Sequence, residues 1–261
     1  MSERVLKLAA PAGVGVLVLI GWEAVVRWNA IPPYILPGPL LVAETLWRDG
    51  PSLLLSLLVT LRITLAALVA AVVLGGAIAI LFAQSRLLEL SFFPYAVILQ
   101  VTPIVSIAPL IIIWVNDTFL ALLVCAWIVA FFPVVANTTL GLTSADRNLV
   151  ALFRLYRATR WQSLRYLRLP SALPYFLGGV RISGGLALIG AVVAEFVAGT
   201  GGTETGLASR ILEAGYRLEI PRLFAALLLL SLTGILIFAA LSWLSHALLG
   251  HWHESALPDE E

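Results

Sequence analysis

The stretch DRNLVALFRLYRATRWQSLRYLRLP, Asp146–Pro170, decides how this chain is read. It carries six arginines, Arg147, Arg154, Arg157, Arg160, Arg165 and Arg168, against a single acid, Asp146, and long apolar runs flank it on both sides. Short loops rich in Lys and Arg are retained on the cytoplasmic side of a membrane, so the charge predicts which side this segment occupies. Topology alone does not need so long a loop. Trp161, Leu164, Leu167 and Leu169 interleave with the cations, which predicts one or two short amphipathic helices with an apolar and a cationic face. Such a surface suits the docking of a soluble partner.

Working outward, the chain of 261 residues is 61% hydrophobic and only 12% charged, where a soluble domain carries roughly 25% charged residues. It reads as an integral membrane protein. A spanning helix needs about 20 mostly apolar residues, and six windows qualify, near 8–28, 53–83, 91–114, 118–142, 174–197 and 222–250. The expected fold is therefore all-α, a polytopic transmembrane helical bundle of about six spans forming a single domain over 1–261. The charged start, Met1–Lys7, precedes an apolar run without a small-residue cleavage site, so the first span reads as a retained helix. Starting inside, six spans put 84–90 and 143–173 in the cytoplasm together with both termini. Cys125, the sole cysteine, lies mid-span and leaves no disulfide framework and no CxxC-type metal site.

Between the first two spans, Pro32, Pro33, Pro37, Pro39 and Pro51 are expected to break any continuous helix, leaving Leu40–Trp47 as a turn or two at the membrane surface. Arg62 sits inside the second span, where an arginine costs about 2.5 to 3.5 kcal/mol at the bilayer centre, so it should face protein or a water-filled cavity. The third span holds Pro94, Pro103 and Pro109 beside Gln100, Thr102 and Ser106; a broken, polar-dotted helix suits a pathway lining, and a kinked packing helix fits equally. Gly178, Gly179, Gly184, Gly185 and Gly190 in the fifth span allow close helix approach. Glu195 near its end reads either as a structural partner or as a contact for cargo. Candidate pathway residues are thus Arg62, Gln100, Thr102, Ser106 and Glu195. Beyond them, Thr200–Thr203 reads as a turn and Leu207–Tyr216 as a short re-entrant or interfacial helix.

Gly199–Thr203 lacks the Gly-Lys-Ser/Thr ending with which a phosphate loop holds nucleotide. His246, His251 and His253 fit no common metal spacing, and neither HExxH nor GxSxG occurs. No catalytic residue, no metal and no cofactor are expected on this chain, and nothing points to nucleic acid.

Several stretches carry a family likeness. Arg160-Trp161-Gln162, then Leu169-Pro170-Ser171-Ala172-Leu173-Pro174, then Arg181 and Ala194-Glu195, resemble inner-membrane permease subunits of ATP-binding-cassette importers, in the branch for aliphatic sulfonates, taurine, nitrate or bicarbonate, and thiamine-precursor pyrimidines. The likeness runs from Tyr34-Ile35-Leu36-Pro37 to about Trp243. Permeases of this kind carry a cytoplasmic loop of the form Glu-Ala-Ala-x3-Gly-x9-Ile-x-Leu-Pro, whose coupling helices sit in a groove of the ATPase. Anchored on Leu169-Pro170, that pattern puts Leu167 at the Ile position, Arg157 at the Gly position and Ala151, Leu152 and Phe153 at Glu-Ala-Ala. The second half matches and the first does not. Glycine would permit a positive-φ turn between two short helices, and arginine makes that turn costlier or replaces it.

The resemblance implies a type I importer permease fold in the bacterial inner membrane, with 146–170 as the coupling loop. It assigns ATPase contact to Arg154, Arg157, Ala158, Arg160, Trp161, Ser163, Leu167, Leu169 and Pro170. It also implies two cytoplasmic ATPase subunits that bind ATP and Mg, a second permease that is either a copy or an unlike chain, and a periplasmic or lipid-anchored substrate-binding protein. The cargo would be a small solute. Arg62, Arg210, Arg217 and Arg222 would suit an anion, but Glu204, Glu213 and Glu219 share the outer surface, so charge does not choose. Two other classes stay open from the residues alone: a secondary transporter, and a membrane scaffold that docks a soluble partner through its arginines.

Overall fold

A computed structural model of the chain describes residues 3–199 and 205–250. The turn expected at Thr200–Thr203, the acid Glu204, and the tail with His251, Trp252 and His253 lie outside them. Helix is the only regular structure among the described residues: α1 (Glu3–Trp28), α2 (Pro39–Gln84), α3 (Arg86–Val101), α4 (Ile104–Trp114), α5 (Thr118–Thr143), α6 (Arg147–Leu155), α7 (Arg160–Ser163), a π turn (Leu164–Arg168), α8 (Leu169–Ala198), α9 (Leu207–Tyr216) and α10 (Ile220–Leu249). Five helical stretches are long and apolar enough to cross a membrane, and α3 with α4 makes a sixth if the bent pair counts as one span. The architecture is the expected all-α transmembrane bundle.

The chain divides into two compact units, one of residues 1–59 with 199–231 and the other of 60–198 with 232–261. In the first, the Glu23 carboxylate accepts from the α2 backbone at Leu40 N (3.5 Å) and from Arg27 Nε (2.6 Å). A carboxylate at a helix start offsets the unpaired N–H groups and the positive end of the helix dipole there. Gly38 is what lets it reach, since a Cβ at that position would stand 2.6 Å from Glu23 Oε2. Trp22 packs on Phe224 of α10, with ring centroids 5.8 Å apart.

The connector departs from expectation. Pro32, Pro33 and Pro37 do precede the helix, but α2 starts at Pro39 and runs unbroken through Pro51 to Gln84. Proline at the first helical position loses only an N–H that would have no partner anyway. Pro51 removes one bond from the helix ladder, the one that would reach Trp47; Trp47 is exposed, so solvent or headgroups can serve its carbonyl instead. At 46 residues, α2 extends for about 69 Å by its helical rise.

The second unit is built on α5 and α8. Ser183 Oγ donates to the Ala130 carbonyl at 2.6 Å. A Cβ added at Gly179 would stand 2.8 Å from the Pro133 carbonyl oxygen, and one at Gly190 2.8 Å from Ala126 Cα. Position falls along α5 as it rises along α8, so the two helices run antiparallel at backbone contact. Small residues make that approach possible, and van der Waals packing is what holds helices where water offers no drive. Gly184 leaves room for Leu241 of α10, whereas Gly178 and Gly185 face open space. Leu68, Ala71, Ala130, Val134 and Ala187 form one core cluster here, and Ala79, Leu142, Leu164 and Ala172 another.

The third expected span is broken, as its prolines suggested. α3 and α4 meet at 100°. Thr102 closes α3 by donating both N–H and Oγ1 to the Ile98 carbonyl (3.1 and 2.7 Å), and Pro103, which has no N–H to donate, starts α4. The fifth span begins earlier than the 174 read from hydropathy. One helical run extends from Arg160 to Ala198, because the π turn carries the chain past Pro170 without a break.

Candidate functional site

The segment 146–168 is a helix, a tight turn and a second helical start, each closed by its own side chains. Asp146, the one acid, caps α6 by accepting from Asn148 N (2.7 Å) and Leu149 N (3.1 Å). At the far end the Arg157 N–H bonds the Arg154 carbonyl (3.0 Å) and the Ala158 N–H the Phe153 carbonyl (2.9 Å). These are the two bonds of a Schellman motif, whose C′ residue takes the left-handed conformation and is usually glycine. Here it is Arg157, at φ 54°. The turn that glycine would favour is therefore kept, with arginine in it. Thr159 then opens α7 with a capping box: its Oγ1 accepts from Gln162 N (3.2 Å), and Gln162 Oε1 accepts from Thr159 N (2.8 Å).

The π turn follows, with Leu169 N–H bonded to the Leu164 carbonyl. It buries Leu164 and Leu167, and Leu164 joins Ala79, Leu142 and Ala172 in a core cluster. Arg168 Nη1 reaches back to the Ala83 carbonyl at 3.4 Å. Leu167, Leu169 and Pro170 thus root the segment in the bundle. Arg154, Arg157, Arg160 and Trp161 are exposed, and Ala158 and Ser163 are half-buried.

Around this turn the surface mixes charge and grease. Leu155 is 79% exposed, Tyr156 78% and Trp161 62%. Leu152, Phe153, Tyr156, Ala158, Gln162 and Tyr166 line an apolar groove of about 370 Å³. A larger cleft of about 590 Å³ lies between the α2–α3 junction and α6–α7, and Arg86, Arg154, Arg160 and Arg168 line it without any acid. Among the described residues none of the segment's six arginines makes an ion pair. Two of them have other contacts, Arg168 with Ala83 and Arg165 over the Tyr166 ring at 5.7 Å.

The pathway candidates sit in different settings on the chain. Gln100 and Ser106 are exposed on either side of the α3–α4 bend, and Thr102 is spent closing α3. Glu195 is only 1% exposed on α8. Arg62 is exposed on this single chain, with its guanidinium 4.7 Å above the Phe119 ring, a cation–π contact. The outer-loop arginines have acids of their own: Arg210 and Arg217 bond Glu213 (both 2.8 Å), and Arg222 approaches Asp49 (3.7 Å) and Glu219 (3.4 Å). The Arg210 hydrogen bond is the main cause that holds the Glu213 carboxyl below its ordinary range.

Sequence reasoning missed the wall formed by Ala83, Gln84, Ser85 and Arg86, which no local pattern ties to position 160. It also missed the capping role of Gln162, although the spacing Thr159-x-x-Gln162 signals it.

Comparison with known proteins agrees with this architecture. The chain is 36% identical over 248 residues to the riboflavin transport system permease protein RibX of Chloroflexus aurantiacus, covering 92% of this chain and 88% of that protein. It is 33% identical over 234 residues to the formylaminopyrimidine transport permease protein ThiX of Halalkalibacterium halodurans, covering 89% and 92%. Its fold matches the crystal structure of an amino acid ABC transporter with histidines at a TM-score of 0.63, over 78% of this chain and 97% of that one, at 18% identity. Residues 71–250 match the family described as binding-protein-dependent transport system inner membrane component. The chain belongs to that family and is a permease of the ATP-binding-cassette importers.

Proposed function

We propose that this permease moves a small heterocyclic solute into the cytoplasm and that residues 146–170 carry the contact with its ATPase. The observation that supports the contact is the set of unpaired arginines beside exposed Leu155, Tyr156 and Trp161, held on a turn rooted in the bundle by Leu164 and Leu167. A surface that is both cationic and apolar is costly to leave in water and fits a partner groove with acidic and apolar walls. Arg154, Arg157, Arg160 and Trp161 meet the ATPase directly; Leu167, Leu169 and Pro170 hold the segment at the head of α8. ATP and Mg bind to the separate ATPase subunits, a second permease completes the pathway, and a binding protein delivers the solute from outside. Both termini and the 146–170 segment then face the cytoplasm of a bacterial cell.

The cargo reading rests on the two relatives above, whose names give riboflavin and formylaminopyrimidine, both nitrogen heterocycles. Cys125 is the only native cysteine and is buried, so new thiols report cleanly. Cysteines at Leu155 and Trp161 are expected to crosslink to the ATPase subunit in membranes. If both instead react freely with a bulky water-soluble thiol reagent in the assembled complex, the docking assignment is wrong. Uptake of labelled riboflavin or formylaminopyrimidine by vesicles holding the complex tests the cargo separately.

A further inference from the structure

The cleft lined by Arg86, Arg154, Arg160 and Arg168 is not explained by a docking surface formed by α6 and α7 alone, because its far wall is the place where α2 ends and α3 begins. Four arginines line it. Glu89 holds Arg86 at 2.9 Å, and Arg168 has one nitrogen on the Ala83 carbonyl; Arg154 and Arg160 have no ionic partner among the described residues. Ser85 and Arg86 open α3, so the positive end of that helix dipole adds to the field. No carboxylate lines the cleft to balance these charges.

Depth identifies the occupant. The wall at 83–86 is the break between a long apolar helix and the apolar α3, and a membrane span ends there. Exposed Leu81, Leu87, Leu90 and Phe92 stand within a few residues of it on the same two helices, so that end of the span is apolar at its surface. A cationic hollow with an apolar margin at the end of a span matches a lipid with a phosphate headgroup and acyl chains, since basic pockets between spanning helices take such headgroups. A volume of about 590 Å³ is ample for one. An acidic protein segment would need the charge but not the flanking leucines.

We infer that this cleft binds the headgroup of an anionic phospholipid, with Arg154 and Arg160 as its principal ligands. The ligand charges come from two elements, α6 and α7, so the bound lipid ties both to the membrane-embedded α2–α3 junction. Arg154 and Arg160 also belong to the ATPase contact proposed above, so lipid retention is read in the assembled complex, and labelling at 83–86, outside that contact, tells failure of the lipid reading from failure of the docking one.

The test uses the full chain, purified with whatever subunits accompany it, and counts retained lipid by native mass spectrometry after exchange into mixed phosphatidylglycerol and phosphatidylcholine. Phosphatidylglycerol is expected to be retained preferentially, with affinity falling about fivefold for each arginine removed in Arg154→Gln and Arg160→Gln. Arg165→Gln, which does not line the cleft, is expected to leave retention unchanged. A photoreactive phosphatidylglycerol should label peptides from 83–86 and 150–168 in the unaltered chain, a readout that needs no variant to fold. Equal retention of the two lipids, or labelling elsewhere, overturns the assignment. So does a phosphatidylglycerol signal that millimolar inorganic phosphate removes, which would make the cleft a free-phosphate site. Loss of the lipid when the ATPase assembles would give the cleft to an acidic segment of that partner.

Discussion

Two regions of this permease are rich in arginine, and they treat it in opposite ways. Around α9, Arg210, Arg217 and Arg222 meet Glu213, Glu219 and Asp49, and Arg210 also donates to Ser56 Oγ at 3.2 Å. Along 146–168, six arginines share one acid, and that acid is committed to backbone N–H groups at the start of α6. The first set is complete within the chain and fastens a short helix to α2. The second is incomplete, and its charges are free for another molecule. Arginine content therefore says little about role, whereas the count of acids within reach says a great deal.

The strongest way to break this contrast is charge reversal. Arg154→Glu with Arg160→Glu should reduce ATPase co-purification and solute uptake by about 100-fold or more, since two charge-assisted contacts are lost and each is worth roughly 1.5 to 3 kcal/mol. Arg217→Glu, in the self-contained region, should leave co-purification intact. Equal losses in both would mean that the two regions do not differ as described.

Next in size is Arg210→Met. It removes the donor to Glu213 and Ser56 and should lower the melting temperature by an amount equal to about 1 to 2 kcal/mol, with ATPase binding unchanged. Arg157→Gly has the opposite sign. A non-glycine residue in the left-handed region costs about 1 kcal/mol, so the variant should be more stable by about that much. If uptake and stimulated ATP hydrolysis fall in spite of that gain, the Arg157 guanidinium contributes to docking; if both hold steady, arginine is a passive occupant of the turn.

The smallest effect is set by pH. Arg210 keeps the Glu213 carboxyl below its ordinary value of 4.5, so this group adds stability above that value and loses it as pH falls through the lowered one. Hydrogen-exchange protection in α9, taken against the intrinsic rate at each pH, should fall as the pH drops through the lowered value, by no more than about 1 kcal/mol, the scale of a partly exposed ion pair. Protection that stays constant until the Glu213 carboxyl is fully protonated would show that Glu213 does not fasten the helix.

Hydropathy alone marks the spans, because lipid demands long apolar helices and leaves little room for alternatives. The 100° bend was also legible, in the triplet Val101-Thr102-Pro103, where a missing N–H coincides with a threonine able to close the preceding helix. Pro51 was misleading: a proline costs one bond, and an exposed position bears that cost without breaking. At Arg157 the aligned pattern pointed to a position that requires positive φ, but residue type could not tell whether the turn survives without glycine. It does, since its two flanking hydrogen bonds and the capping box after it over-determine the backbone. The cleft was invisible for another reason. Its walls are some 70 residues apart, and the packing of Leu164 against Ala79 and the Arg168–Ala83 hydrogen bond bring them together.

The π turn at Leu164–Arg168 has a mechanical consequence. From Arg160 to Ala198 the chain is one helical run of 39 residues with no loop in it, so a displacement at Trp161 carries along the helix toward Glu195. The wide turn is a place where that run can change length. Tightening it to ordinary α-helical winding would shift the register by about one residue, moving the far end by about 1.5 Å and rotating it by about 100°. Under the docking proposed above, the turn would lie as a ratchet tooth between the surface taking the ATPase's stroke and the helix that α5 grips along its glycines.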